Sequence, residues 1–572
     1  MFMDINPMIA TDFYKVFHKF MSEPGTEKIY STFTPRHSRI DDIQEVVFFG
    51  LQGFIKDFLL DFFNKGFFNL PKHIAVADYK RTIKYTIGDE CADTTHIEAL
   101  HDLGHFPIEI RAVKEGTFVP IKVPPFTVEN TDKDYYWLPL YLETLTSAET
   151  WPVIVATTIA RKYRDICEEW AEKTCEGKDH IQWQCHNFSY RGMHGFYNAT
   201  TTGAGHLLFF TGTDTIPSIS YLERFYNANI ENELVGSSVR ATEHSIQCGY
   251  RDDLKYITRM ITEVAPSGIV SVVADGYDYW GVLGDVMPKL KDTILARDGK
   301  VVIRPDSGDP IEILCGNMEV EDLTDNEYCK TLEECKRHMQ TWLVEDVREE
   351  TPHGKYGNSE PEGIFKFGDK HYKIVVEIDW NRRDYKFYYI DEHRIKSCEE
   401  IELTLEQKGS VEVLWDLFGG AVNKKGYRVL NPHIGLIYGD SITPEIAKEV
   451  FRRLAVKGFA SENVVFGVGS YSLGYYTRDT FAFAMKATHT IINEEEIFLF
   501  KDPKTDTNKI KKSQTGMVVV LKDADGTIRM IDGLNAAERD SYAGRDLLEV
   551  TFRNGKLIRD EVLSEIRARV LK

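Results

Sequence analysis

Arg304 and Asp306 stand in the stretch Val301-Val-Ile-Arg-Pro-Asp-Ser-Gly-Asp-Pro310, where apolar β-branched residues run straight into a charged turn. A buried strand that ends on such a turn holds its polar side chains still. In α/β folds the loop at the carboxyl end of a parallel strand carries the chemistry. A salt-bridged surface turn would read the same way in isolation, but the pattern recurs at Gly212-Thr-Asp214, Tyr438-Gly-Asp440 and Phe466-Gly-Val-Gly-Ser470. Glycine lets backbone N–H groups approach an anion, and a helix start behind it adds favourable potential. Asp306 and Asp440 beside such a cradle suit ribose hydroxyls or Mg²⁺, which takes a few carboxylates plus ligand phosphates. Arg36, Arg304, Arg478, Lys486 and Lys501 are cations of the kind that neutralise a pyrophosphate. A phosphorylated sugar with a pyrophosphate is the ligand these residues describe. Neither a P-loop nor a complete G-x-G-x-x-G fingerprint is present, since Ser472 stands where the third glycine would be.

The elements that must position these residues are apolar runs at βαβ intervals: Leu207–Thr211, Ile269–Ala274, Val301–Ile303, Ile434–Tyr438 and Val464–Val468. Five strands ending in Gly, Asp or Arg predict an α/β fold, an irregular parallel α/β barrel with its catalytic loops on one face. The barrel domain is expected over 151–479. Residues 317–408 interrupt it as a β-rich insertion, first acidic and then alternating at period two. Segments 1–150 and 480–572 are expected to combine into an α+β domain. Within them Thr11–His18 predicts a helix start, Tyr30–Arg36 a strand and Phe106–Glu129 hairpins.

A chain of 572 residues exceeds one compact core and predicts two or three domains. Its net charge of −20 argues against a nucleic-acid surface, which needs clustered Lys and Arg. No run of about 18 uncharged apolar residues suggests a membrane span. Met1–Ala10 lacks the basic start of a secretory signal, and nine scattered cysteines without a CxxC pair suit a reducing compartment; a cytoplasmic protein is expected. Cys185-His186, the one adjacent Cys/His pair, is a weak metal-site candidate.

Several segments together resemble the nicotinamide phosphoribosyltransferases, within the type II phosphoribosyltransferases. They are Ala10–His18, Tyr190-Arg-Gly192, Gly212-Thr-Asp214, Glu243-His-Ser245, Ile303–Gly308, Tyr438-Gly-Asp440, Thr477-Arg-Asp479 and Phe500–Pro503. The resemblance spans most of the chain outside 317–408. It implies phosphoribosyl transfer from phosphoribosyl pyrophosphate to nicotinamide with Mg²⁺, in a homodimer with shared active sites. It implies a pyridine sandwich of Phe188 and the partner's Tyr14, with Asp214 on the carboxamide and Arg304 by the ring. Arg191, Asp306, Gly439, Asp440, Gly469 and Ser470 would surround the ribose phosphate, and Arg36, Arg478, Lys486 and Lys501 the pyrophosphate. His244 would be the histidine phosphorylated by ATP, so that ATP stimulates turnover. Two positions depart from the family pattern: Asn187-Phe-Ser189 replaces Asp-Phe-Gly, and Ser470 replaces a glycine. The alternatives are a nicotinate phosphoribosyltransferase and a non-catalytic ligand-binding protein on this fold.

Overall fold

A computed structural model describes residues 5–324, 326–351, 357–382, 388–439, 442–500 and 514–572. The chain folds as two compact units. One is formed by Met1–Ile166, Ile181–Ser238 and Gly467–Lys572, the other by Cys167–His180 and Val239–Phe466.

The first unit is built on a seven-stranded antiparallel sheet. Its order is Glu495–Phe498, Ala484–Ile492, Thr26–Thr34, Phe126–Asn130, Ile108–Ala112, Glu549–Arg553 and Lys556–Leu557. Strands from both ends of the sequence therefore pair directly. Their shared core is aromatic: Phe33 stacks on Phe126 at 4.7 Å and on Phe483 at 5.2 Å between ring centroids. Residues 181–238, expected in the barrel, belong to this unit. The guanidinium of Arg567 donates to the carbonyls of Leu207 and Val235, and the Gln52 amide donates to the Phe225 carbonyl at 2.7 Å.

In the second unit five parallel strands form a half-barrel sheet. Their order is Val464–Val468, Ile434–Tyr438, Val301–Arg304, Val270–Val273 and Arg240–Ala241. Val270, Val272, Val301, Ile303 and Leu436 are all buried, as expected for strands covered on both faces. Helix Pro310–Cys315 starts at Asp309, whose carboxylate accepts from Ile311 and Glu312 N–H at 2.8 and 3.1 Å. Helix Pro444–Val456 is capped by Thr443 and buries Ala447, Val450, Phe451 and Leu454, a 3.6-period stripe.

The insertion has a core of its own. Val320–Asp322 runs parallel to Glu362–Phe367, and Lys370–Arg382 and Tyr388–Ile401 follow antiparallel. A 19-residue helix, Leu332–Glu350, lays Cys335, Met339, Leu343, Val344 and Val347 on Phe365, Ile374, Val376 and Ile378. The segment is thus α+β, with a helix that a purely β reading omits.

One expected strand is not formed. Phe196–His206 is a helix, and Leu207, Leu208 and Phe209 continue it as helical turns through N–H bonds to Gly203, Gly205 and His206. Only Gly212 and Thr213 extend, each in a single parallel bridge. A fully apolar run carries no periodicity to distinguish a buried turn from a strand. Thr11–His18, expected to open a helix, forms a single 3-10 turn, Phe13–Lys15, and the α-helix that follows is the short His18–Met21.

Candidate active site

In the second unit three strand ends bring their polar residues together. Val270–Val273 is followed by Asp275, Val301–Arg304 by Asp306 and Ser307, and Ile434–Tyr438 by Gly439. Asp275 is the hub. Its Oδ1 faces His244 Nε2 at 2.9 Å, while its Oδ2 accepts from the Asp306 N–H at 2.8 Å and from Ser307 Oγ at 2.6 Å. The Asp275 side chain is 4% exposed. Burial alone would raise its pKa, but the hydrogen bonds from Ser307, His244 and the Asp306 N–H outweigh burial and hold it below the usual carboxylate value.

His244 is 41% exposed, with its Nδ1 4.0 Å from Asp306 Oδ2. Arg304 Nη2 lies 3.4 Å from Asp306 Oδ1. Gly439 closes this group. A Cβ there would overlap the Asp306 carboxylate and lie 2.6 Å from Arg304 Nε, so glycine is what allows the two charged side chains to meet over the strand end. The Tyr438 hydroxyl donates to the Gly308 carbonyl at 2.7 Å and steadies the Arg304–Gly308 loop. Asp440 lies outside the described residues.

In the first unit Phe188 and Asp214 form a second group with His186, expected only as half of a Cys/His pair, and with Ser238, which no sequence pattern singled out. Phe188 N–H donates to the Val468 carbonyl at 2.9 Å, and Asp214 N–H to the Asn187 carbonyl at 2.9 Å. His186 Nε2 lies 2.8 Å from Asp214 Oδ1, and Ser238 Oγ donates to the same oxygen at 2.6 Å. Asn187, one of the two departures, faces inward; its Oδ1 accepts from Ser189 N–H and Ser189 Oγ at 2.9 and 2.7 Å, shaping the turn. Ser470, the other, opens helix Ser470–Leu473 after Gly469 and fills the space beside Gly192; the neighbouring Arg191 is exposed.

Three of the cations expected at the pyrophosphate lie on or beside the paired strands Thr26–Thr34 and Ala484–Ile492. Arg36 Nε donates to the Ala482 carbonyl at 2.9 Å, and Arg478 opens the turn that leads to it. Lys486 pairs in register with Thr32 and lies 3.8 Å from Glu143. Tyr14 lies in the turn Phe13–Lys15, after Asp12. Its ring is 60% exposed, beside His18 and with Lys15 Nζ 5.0 Å from its centroid. Lys501 lies outside the described residues.

Asp275 had a signal in the sequence: Val272-Val-Ala-Asp275 repeats the strand-then-acid pattern of the other ends. His186 had one only as half of the Cys-His pair, and its partner proves to be Asp214. Among the described residues no three His, Cys, Asp or Glu side chains gather as a metal cage, and no helix is long and apolar enough to cross a membrane.

A parallel α/β sheet with charge-bearing strand ends and a glycine-lined turn suits an anionic ligand, and comparison with known proteins gives the family. The sequence model of the nicotinate phosphoribosyltransferase family matches residues 183–344 and 394–556, and that of the nicotinamide phosphoribosyltransferase N-terminal domain matches 6–110. A nicotinamide phosphoribosyltransferase of Acinetobacter baylyi is 38% identical, covering 99% of this chain and 97% of that protein. One from Xanthomonas campestris is 28% identical, covering 98% and 97%. The crystal structure of a nicotinate-nucleotide pyrophosphorylase from Pyrococcus furiosus shares the fold, with a TM-score of 0.51 at 13% identity over 99% of this chain and 95% of that one. The chain belongs to the nicotinamide phosphoribosyltransferase family, within the broader nicotinate phosphoribosyltransferase family.

Proposed function

We propose that the protein transfers the 5-phosphoribosyl group of phosphoribosyl pyrophosphate to nicotinamide, giving nicotinamide mononucleotide and pyrophosphate as a cytoplasmic step of NAD salvage. The pyridine nitrogen bonds to the ribose anomeric carbon as the bond from that carbon to the pyrophosphate oxygen breaks. The transition state is oxocarbenium-like, so positioning and charge stabilisation supply the catalysis.

Asp214 carries the choice of base. Two donors on one oxygen hold its carboxylate, which accepts from a carboxamide N–H and repels the carboxylate of nicotinate. Phe188 stacks on the pyridine, with Tyr14 of a second subunit on the opposite face; the exposure of Phe13 and Tyr14, both above half, supports that homodimer. Arg304 lies by the ring. Arg191, Asp306, Gly439, Asp440, Gly469 and Ser470 take the ribose phosphate, and Arg36, Arg478, Lys486 and Lys501 the pyrophosphate.

Mg²⁺ would be held mainly by ligand phosphates, with one carboxylate such as Asp306 or Asp440. Bound there, Mg²⁺ would neutralise charge on the leaving pyrophosphate. His244 takes the γ-phosphoryl group of ATP: an N–P bond forms as the bond from that phosphorus to the bridging oxygen breaks, and ADP leaves. With its Nε2–H directed at Asp275, Nδ1 carries the lone pair that attacks.

The test is product identity. Purified protein with nicotinamide, phosphoribosyl pyrophosphate and Mg²⁺ should yield nicotinamide mononucleotide by mass spectrometry. Complete absence of any mononucleotide, from either pyridine, would point to a ligand-binding protein instead.

A further inference from the structure

We propose that His186 is the positioning residue that sets which pyridine is accepted, by holding the Asp214 carboxylate and the Phe188 ring in one arrangement; this rests on the nicotinamide reading of Asp214. His186 lies on strand Cys185–Asn187, and alternate residues of an extended segment share a side, so His186 and Phe188 fall together. Their ring centroids are 4.6 Å apart, tilted by 38°. The same imidazole meets Asp214 Oδ1 at 2.8 Å through Nε2. One side chain thus touches both the stacking ring and the carboxamide reader.

The surroundings are shaped to keep the imidazole there. A Cβ on Gly212 would stand 2.8 Å from His186 Nδ1, so the bare glycine backbone is what admits the ring. Behind it His206 is fully buried; burial and the nearby His186 push its pKa down to about 3, so it remains neutral and adds no competing charge. A partner carboxylate at Nε2 selects the tautomer that donates from Nε2. Asp214 itself is half exposed at its side chain. Removing the imidazole takes away the Nε2 contact on Oδ1, which loosens the orientation of the carboxylate.

His186 touches no reacting atom in this assignment, so its loss should act on binding and choice rather than on the chemical step. The experiment measures kcat and KM for nicotinamide and for nicotinate in the wild type, His186→Ala, His186→Gln and Gly212→Ala. A hydrogen bond to a charged group is worth about a tenfold effect or somewhat more. His186→Ala should raise the nicotinamide KM by about that factor with kcat changed less than about twofold. The nicotinamide-to-nicotinate ratio of kcat/KM should fall in step. His186→Gln, whose amide N–H reaches the Nε2 position, should restore most of the ratio. Gly212→Ala, which displaces the imidazole without removing it, should lower the ratio again. An unchanged ratio in folded His186→Ala and Gly212→Ala would overturn the proposal, as would a Gln variant no better than Ala. A wild type that prefers nicotinate overturns the nicotinamide reading itself, which the wild-type rows alone reveal.

Discussion

Gly439 does at the residue scale what no side chain could. Its missing Cβ is the space in which Asp306 and Arg304 meet. Gly439→Ala should therefore lower kcat/KM by at least about tenfold, while overpacking costs the fold only about 1–3 kcal/mol. Paired kinetics and urea melts would separate the two effects; full activity would show that the loop yields. His244 is exposed enough to meet a nucleotide and is aimed by Asp275. His244→Ala should abolish ATP stimulation and leave basal transfer, measured as initial rates with and without ATP; equal stimulation in the variant would remove it from that role. Arg304, Asp306 and Gly439 were legible in the sequence because a strand followed by Gly or a charge has a physical meaning. Asp275 was equally legible by that rule. His186 and Ser238 were not, because their role comes from a contact with Asp214 across 28 and 24 residues of chain that no local pattern encodes.

Elements were readable in proportion to their periodicity. The strands Val301–Arg304 and Ile434–Tyr438 stand where apolar runs predict them. Leu207–Phe210 is just as apolar and forms helical turns, since burial on all sides erases the signal that separates the two. Helix Leu332–Glu350 was obscured by its acidic surface residues, although Cys335, Met339 and Leu343 keep a helical spacing beneath them. Phe33, fully buried and stacked between Phe126 and Phe483, joins strands from both ends of the chain. Phe33→Ala should cost about 3–5 kcal/mol, read as a lower denaturant midpoint. A loss below about 1 kcal/mol would mean that this junction is not a keystone of the first unit.

Across the whole molecule, domain parentage was the least legible feature. Residues 181–238 follow a barrel-like pattern yet fold with the chain termini, held by side chains such as Arg567 and Gln52 that lie over 150 residues away in sequence. The first unit also carries a pH dependence. Glu115 is fully buried, accepting from Gly50 and Gln52 N–H at 3.1 and 2.6 Å; burial and the nearby Glu561 raise its pKa from 4.5 to about 7. The folded state then binds a proton that the unfolded chain releases. That stabilisation is whole below the unfolded value near 4.5 and is lost as pH rises through about 7. Melting temperature should therefore slope downward over this window. Glu115→Gln should be less stable overall, because one amide cannot accept from both N–H groups, but its slope should be shallower. An identical slope would assign the dependence to other groups.

The central claim, that this chain makes nicotinamide mononucleotide because Asp214 reads a carboxamide, is tested most directly by competition. Purified protein with phosphoribosyl pyrophosphate, Mg²⁺ and equal nicotinamide and nicotinate should convert nicotinamide with a kcat/KM at least about tenfold higher, the scale of a like-charge penalty at a held carboxylate. Nicotinate consumed in preference would contradict the account.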